Sequence, residues 1–363
     1  MNGQKKWKLG VPLLILEFLV LVAAVIVLYV ITKTTNEIER TDLDEEHIII
    51  NEEVAEEKSE NRNEEEKSDE QTNTAPKGYR NIALFGVDAR DGELGRGTRS
   101  DTIIIASINQ DTHEIKLVSV YRDTYLNLGN DTYNKCNGAY AKGGPEQAIT
   151  MLNINMDLDI TDYVTVGFSG LIDAIDCLGG IEIEITESEI NHLNNYQLCM
   201  AEEMGVDYTP VTNPGLQTLN GMQATAYCRI RYTKGDDFRR AERQRDVLGA
   251  MMIKAKGASL TTLRDVVTAV LPSVNTSLNV NEMISVLGTL AEYNVVASEG
   301  FPFESERINA TVGSKGDCII PMTLEENVTM LHELLFEEKN YTPSKQVKTM
   351  SEEITQQTAD YIP

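Results

Sequence analysis

The sequence predicts a layered α/β domain held behind an N-terminal transmembrane helix and a disordered acidic linker. Three observations predict it: a long apolar run near the N-terminus, an acidic stretch too poor in apolar residues to fold, and short β-branched runs interleaved with helical patterns beyond residue 79. At 363 residues, against ~150 per domain, the chain is long enough to bury a sizeable core.

Leu9 to Ile31 is apolar apart from Glu17 and a closing Tyr29. At 1.5 Å per residue this run exceeds a bilayer core of ~30 Å and reads as a membrane span. It is longer than a signal-peptide apolar region, and no Ala-x-Ala site follows it. Glu17 lies near one end, where tilting or thinning hydrates it. Lys5, Lys6 and Lys8 precede the run and acidic residues follow it, so residues 1–8 are expected in the cytoplasm and the rest outside, as a single-pass cell-membrane protein. From Asn36 to Ala75 there are sixteen acidic and four basic residues, a local net charge of −12. Few apolar groups are available there to offset ordering entropy, so residues 32–78 are read as a self-repelling extracellular spacer.

Beyond it, Asn81–Val87, Asp101–Ile108 and Ile115–Val120 are β-branched runs of the kind buried on both sheet faces. Gly144–Met156 has helical spacing, Tyr163–Phe168 is strand-like, and Leu171–Leu178 is a short apolar helix. Ile181–Ile185 alternates Ile and Glu with the strand period. Helices are expected over Gln217–Arg231, Arg239–Lys256, Leu260–Leu271 and Val280–Tyr293. A strand at Arg307–Val312 and a helix at Leu324–Phe336 close a domain spanning 79–340, and residues 341–363 read as a polar, loosely ordered tail.

Composition excludes several functions. A net charge of −25 argues against nucleic acid as a partner, since phosphate neutralisation needs a basic surface. Eight residues before the span are too few for a groove-reading module. Cys136, Cys177, Cys199, Cys228 and Cys318 form no Cys-x-x-Cys pair, and whether Cys177 and Cys199 are bonded stays open. His47, His113, His192 and His332 lack zinc-site spacing. No nucleophile elbow, Walker loop or dinucleotide fingerprint occurs.

Two clusters stand out from the acidic background. Asp88, Arg90, Arg99, Asp101, Arg122 and Asp123 gather around the ends of the first three predicted strands. Arg229, Arg231, Lys234, Arg239, Arg240, Arg243 and Arg245 form a basic island. Arg240, Arg243 and Gln244 fall at i, i+3 and i+4 on one helical face. Guanidinium forks bind phosphate oxygens bidentately, and nearby carboxylates suit Mg²⁺ bridging those oxygens, so together the clusters describe a phosphate or pyrophosphate site. A solvated helix face laced with Glu242 and Asp246 is the competing reading of the island, and a turn cap that of Asp88 or Asp101.

Several segments occur in a recognisable order. They are Arg99-Ser100-Asp101-Thr102, Ser119-Val120-Tyr121-Arg122-Asp123-Thr124 and Lys135-Cys136-Asn137-Gly138-Ala139-Tyr140-Ala141, then Gly215-Leu216-Gln217-Thr218-Leu219-Asn220-Gly221, Tyr227-Cys228-Arg229-Ile230-Arg231 and Asp237-Phe238-Arg239-Arg240 with Arg243-Gln244. In sequence and spacing they resemble the LytR-CpsA-Psr family of cell-wall enzymes, from about Asn81 to Lys256. The resemblance implies a three-layer α-β-α domain that binds a polyprenyl-pyrophosphate-linked glycan, its tail in an apolar tunnel, and transfers the glycosyl phosphate to a peptidoglycan hydroxyl. Carried over by motif, Asp88 and Asp101 are the expected Mg²⁺ ligands. Arg99, Arg122, Arg229, Arg231, Arg240, Arg243 and Gln244 are the expected pyrophosphate-binding residues, and Arg99, Asp101, Arg122 and Asp237 the expected catalytic group. The expected surroundings are the cytoplasmic membrane and peptidoglycan, without nucleic acid. The alternative is a polyprenyl-phosphate-binding carrier or regulator without turnover, since binding alone needs the same arginines and tunnel. Two positions depart from the family pattern, with Tyr121 where a proline precedes the arginine and Arg239 where a glycine does.

Overall fold

A computed structural model describes residues 48–56, 78–87, 94–231, 236–278 and 290–361. The apolar run at 9–31, most of the acidic linker, Asp88, Arg90 and all but the last four residues of the helix expected over Val280–Tyr293 lie outside them, and of those four Leu290–Glu292 is a single 3-10 turn. Among the described residues no helix is long and apolar enough to cross a membrane.

The β-branched runs form the centre of a six-stranded sheet. β1 (Tyr79–Val87) pairs antiparallel with β2 (Ser100–Asn109), which pairs antiparallel with β3 (Glu114–Val120). A hairpin follows, β4 (Tyr125–Asn127) with β5 (Tyr133–Lys135), then α1 (Gly138–Met156), kinked at Gly144-Pro145, where Gly144 takes φ 70°. β6 (Asp162–Gly167) lies parallel to β1 on its free side and leads into α2 (Phe168–Cys177). The hairpin of β7 (Ile181–Ile185) and β8 (Gly215–Leu219) holds α3 (Glu187–Met204) between its strands in sequence. α4 (Gly221–Arg229), α5 (Asp236–Lys256) and α6 (Leu260–Val270) come next. β9 (Val274–Thr276) and β10 (Asn294–Phe301) complete the sheet in the order β10-β3-β2-β1-β6-β9. β11 (Arg307–Thr311) and β12 (Asp317–Pro321) form a ribbon before α7 (Leu324–Phe336) and α8 (Lys345–Thr358).

Alternation along the strands sorts the sheet into two covered faces. Phe85, Ile103, Ile105, Val118 and Val120 pack against α1, α7 and α8, while Leu84, Ile104, Ala106 and Leu117 pack against Leu248 and Met252 of α5. Three layers, α-β-α, result. A second core gathers the inward Ile181, Ile183 and Ile185 of β7 with Ile190 and Leu193 of α3, Leu219 of β8 and Val247 of α5.

Four sequence expectations need correction. The helix expected over Gln217–Arg231 is β8 followed by α4, broken at Asn220, whose side chain caps Gln223 N–H at 2.9 Å while Gln223 Oε1 accepts from Asn220 N–H. α3 was not expected at all: its apolar residues are interrupted by Glu and Asn, yet Ile190, Leu193, Gln197 and Met200 are buried on one face behind a Thr186–Glu189 capping box. The polar tail at 341–363 contains α8, in which Val347, Met350 and Ile354 recur at helical spacing and enter the main core. The linker is ordered over 48–56: Ile48 is buried in the same core, and Asn51 Nδ2 donates to Ile154 O at 3.0 Å and to Asp157 Oδ1 at 2.5 Å. A local net charge hides three consecutive isoleucines, whose burial offsets ordering of that short piece. All five cysteines are free thiols.

Because Ile354 is 1% exposed, Ile354→Ala should lower stability by about 2–5 kcal/mol in urea unfolding. An unchanged midpoint would show that α8 is not part of the cooperative core.

Candidate functional site

Strand register builds the first half of the site. Ile104 faces Ser119 in the antiparallel β2–β3 pair, and continuing that register three residues sets Asp101 opposite Arg122. Arg122 Nη1 donates to Asp101 Oδ1 at 2.7 Å, and its Nε to Asp123 Oδ2 at 3.2 Å. Lys135 Nζ lies 3.0 Å from the other oxygen of Asp123. The turn carrying Arg122 is tied down by Thr124 Oγ1, which donates to Tyr121 O at 2.6 Å, and by Asn137 N–H, which donates to Arg122 O at 3.1 Å. Cys136 Sγ lies 3.2 Å from Tyr121 O and is fully buried, and burial pushes its thiol up. The Lys-Cys-Asn segment is therefore a buttress of the arginine turn, not a nucleophile. Burial opposes the charge of Arg122, but Asp101, Asp123 and Asp237 outweigh it and raise its pKa.

The second half comes from α4 and α5. Arg229 ends α4 with its guanidinium 4.7 Å above the Phe168 ring and 5.6 Å from that of Tyr196. Arg231 Nη2 sits 3.7 Å from Asp101 Oδ2, which links the two halves. Arg240 is 4% exposed. Its Nη1 lies 2.8 Å from Asp237 Oδ1 but out of hydrogen-bond alignment, and its Nε and Nη1 have no hydrogen-bond partner among the described residues. Burial, then the like charge of Arg122, pull its pKa down to about 10. A buried guanidinium with unmet donors costs free energy unless an anion satisfies it.

Asp101, Arg229, Arg231 and Arg240 open onto one cavity of about 670 Å³, whereas Arg122, Asp123 and Asp237 line a small separate pocket that shares Asp101, Arg240 and Gln244 with it. The walls of the large cavity are apolar: Leu84 of β1, Ile104 of β2, Val164 and Val166 of β6, Leu171 and Ala174 of α2, Val247, Leu248 and Met251 of α5, and Val266, Val267 and Val270 of α6. Asp101, Arg229, Arg231, Arg240 and Gln244 supply its polar lining. The pairing of cationic donors with apolar walls suits an amphiphilic anion.

Of the sequence-predicted residues, Asp101, Arg122, Arg229, Arg231, Asp237, Arg240 and Gln244 come together. Arg99 is exposed, lies outside the cavity lining and makes no ion pair among the described residues. Asp88 lies outside the described residues. Arg243 is not on the rim: it is 1% exposed, donates to Glu189 Oε1 at 2.9 Å and to Ile230 O at 3.1 Å, and lies against Tyr227. Within the basic island, Arg239 pairs with Glu242 at 2.7 Å, and Arg245 Nε donates to Ser298 Oγ at 2.8 Å. Helical spacing groups Arg240 with Arg243, whereas only the placement of α3 decides that Arg243 is claimed by a buried carboxylate. The Phe168 and Tyr196 supports of Arg229 were missed, because two aromatics distant in sequence carry no local signal.

The LytR_cpsA_psr family model matches residues 47–317. The chain belongs to that family. Among relatives of the LytR_cpsA_psr chain is a polyisoprenyl-teichoic acid--peptidoglycan teichoic acid transferase TagU of Enterococcus faecalis, 32% identical over 206 residues, covering 56% of this chain and 62% of that one. The TagU of Bacillus subtilis is 32% identical over 222 residues, covering 60% and 66%. The chain thus spans about three fifths of the length of these curated relatives. The fold is that of the LytR-CPS2A-psr family protein YwtF (TagT), a structure with bound octaprenyl pyrophosphate lipid, at a TM-score of 0.51 and 20% identity over 73% of this chain and 94% of that one.

Burial acts on Glu189 to raise its pKa, but hydrogen bonds from Thr186 and from Arg243 outweigh it and hold the carboxyl below its ordinary value. A lowered folded pKa means that this stabilisation is present above the unfolded carboxylate value near 4.5 and lost as pH falls through the folded value. Glu189→Ala removes the buried carboxylate that faces Arg243, so thermal and urea unfolding at neutral pH should show a loss of about 3–5 kcal/mol. The deficit relative to the parent should shrink at acid pH. A deficit that stays constant down to the acid limit would remove Glu189 from the pH dependence.

Proposed function

We propose that this chain is a membrane-anchored phosphotransferase with its N-terminus in the cytoplasm and its catalytic domain outside. In this reading it moves a glycopolymer phosphate from a polyprenyl pyrophosphate carrier to a peptidoglycan hydroxyl. The observation that carries the reading is the apolar cavity ending at Asp101, Arg229, Arg231 and Arg240: walls for a prenyl tail, and cations for two phosphates. The names of the teichoic acid transferases that resemble it, and the octaprenyl pyrophosphate in the YwtF (TagT) structure, support the same substrate class.

Transfer joins the acceptor oxygen to the glycan-bearing phosphorus and breaks its bond to the bridging oxygen, which leaves on polyprenyl monophosphate. Arg229, Arg231 and Arg240 hold the pyrophosphate, and the unmet donors of Arg240 gain acceptors there. Arg122, fixed by Asp101 and Asp123, faces charge that develops on the transferring group. Asp237, whose Oδ1 takes no hydrogen bond among the described residues, accepts the acceptor proton.

Asp101 also fits a magnesium ligand: it lines the cavity wall with a side chain 34% exposed, and Mg²⁺ is commonly held by one or two carboxylates with phosphate oxygens and water. Among the described residues no group of three or more His, Cys, Asp or Glu converges, so the ion would rest on Asp101, together with Asp88, and on the substrate. When bound, the ion would neutralise phosphate charge.

Incubating the full chain with a polyprenyl-pyrophosphate-linked glycan and a peptidoglycan oligomer should yield phosphate-linked glycan on the oligomer. Arg122→Ala should slow transfer by about 10²–10³-fold, and EDTA should stop it until Mg²⁺ is restored. Lipid binding without transfer at any Mg²⁺ concentration would replace this reading with the carrier protein.

A further inference from the structure

The region beyond residue 257 supplies no lining group at the polar end of the cavity, yet one of its arginines is built into the support of that end. Arg307 of β11 lies with its guanidinium carbon 3.9 Å from the Phe238 ring centroid and 5.0 Å from that of Tyr121. Its Nη1 donates to Tyr121 Oη at 3.2 Å and to Pro302 O at 2.9 Å. Phe238 and Tyr121 meet edge to face at 4.7 Å and 82°. Tyr121 in turn lies over Gly300 of β10, where an added Cβ would come within 1.9 Å of Tyr121 Oη. Glycine is thus required there by the aromatic ring, which occupies the position where the family pattern has proline.

The stack joins the two halves of the site through their sequence neighbours. Tyr121 precedes Arg122, whereas Phe238 follows Asp237 and precedes Arg240 by two residues in the first turns of α5. Among the described residues Arg240 has no aligned hydrogen bond from Nε or Nη1, so its own side chain does little to fix where α5 begins. Tyr121, Ala241 and Ile319 form a small apolar cluster there, with Phe238 packed against it, and Arg307 covers Phe238. We propose that Arg307 is a positioning residue, which clamps Phe238 against Tyr121 and so holds Asp237 and Arg240 in register with Arg122 and Asp101. This rests on the transferase reading above for its effect on rate, though not for its effect on α5.

Arg307, Phe238 and Tyr121 do not line the large cavity, so burial of the tail and the pyrophosphate contacts of Arg229 and Arg231 are independent of them. Misplacing catalytic groups by a fraction of an ångström chiefly lowers the rate of the chemical step. In the full chain, Arg307→Ala should reduce kcat for transfer by about tenfold with KM for the lipid-linked donor within about twofold. Phe238→Leu, which keeps apolar volume and removes the ring face, should do the same. Because both break one stack, the double variant should be about as slow as either single one. Arg307→Lys, which keeps the charge but not the planar fork, should recover only part of the rate.

Amide hydrogen exchange supplies a readout that needs no turnover. In Arg307→Ala, residues 236–244 should exchange faster while β1–β3 keep their protection. Unchanged exchange over 236–244, an unchanged kcat, or rate losses that multiply in the double variant would each overturn the clamp. If the parent protein binds lipid but transfers nothing, the transferase reading fails, and the exchange result alone decides the clamp.

Discussion

The Arg122–Asp101 contact is the joint on which the site depends. It exists because β2 and β3 pair antiparallel with Ile104 opposite Ser119, a register that the buried Ile103, Ile105, Val118 and Val120 enforce. A slip of one residue would turn those side chains from one covered face to the other, which a sheet packed on both faces does not tolerate. Core packing therefore sets the distance between two charged side chains at its rim. Asp123, Lys135 and the Cys136–Asn137 backbone then hold Arg122 from behind, leaving Asp101 to meet Arg231 from the far side.

Around that joint the molecule separates two kinds of buried arginine. Arg243 is satisfied within the fold by Glu189 and Ile230 O, so it locks α5 to α3. Arg240 is nearly as buried, but the carboxylate close to it among the described residues, Asp237, is out of hydrogen-bond alignment, and its pKa falls to about 10. An incompletely satisfied guanidinium at the end of an apolar cavity is destabilising by itself and favourable once an anionic head group arrives. The distinction between scaffold and site here is one of hydrogen-bond satisfaction, since burial and residue type are the same.

Much of this was legible in the chain. β-branched runs betray central strands because both faces are covered, and Ile-Glu alternation betrays β7 because only one is. Asp101, Arg122, Arg229, Arg231 and Arg240 were recognisable because they sit within short ordered motifs. Elements whose apolar positions are diluted by charge were not. α8 and the Ile48 segment read as polar from composition, yet each contributes a few side chains to the same core through contacts almost the whole chain apart.

By itself the sequence determined the α/β layering, the central strands and the set of arginines and carboxylates at their ends, because periodicity and motif spacing are local properties of the chain. Only the tertiary structure decided which of those arginines face the cavity. Arg243 and Arg240 are three residues apart on one helix, and what separates their roles is a carboxylate from α3. The same holds for Arg307, brought to Phe238 by a ribbon about seventy residues downstream. Partners remote in sequence leave no periodic trace, so the satisfaction of a buried charge emerges only when the layers close.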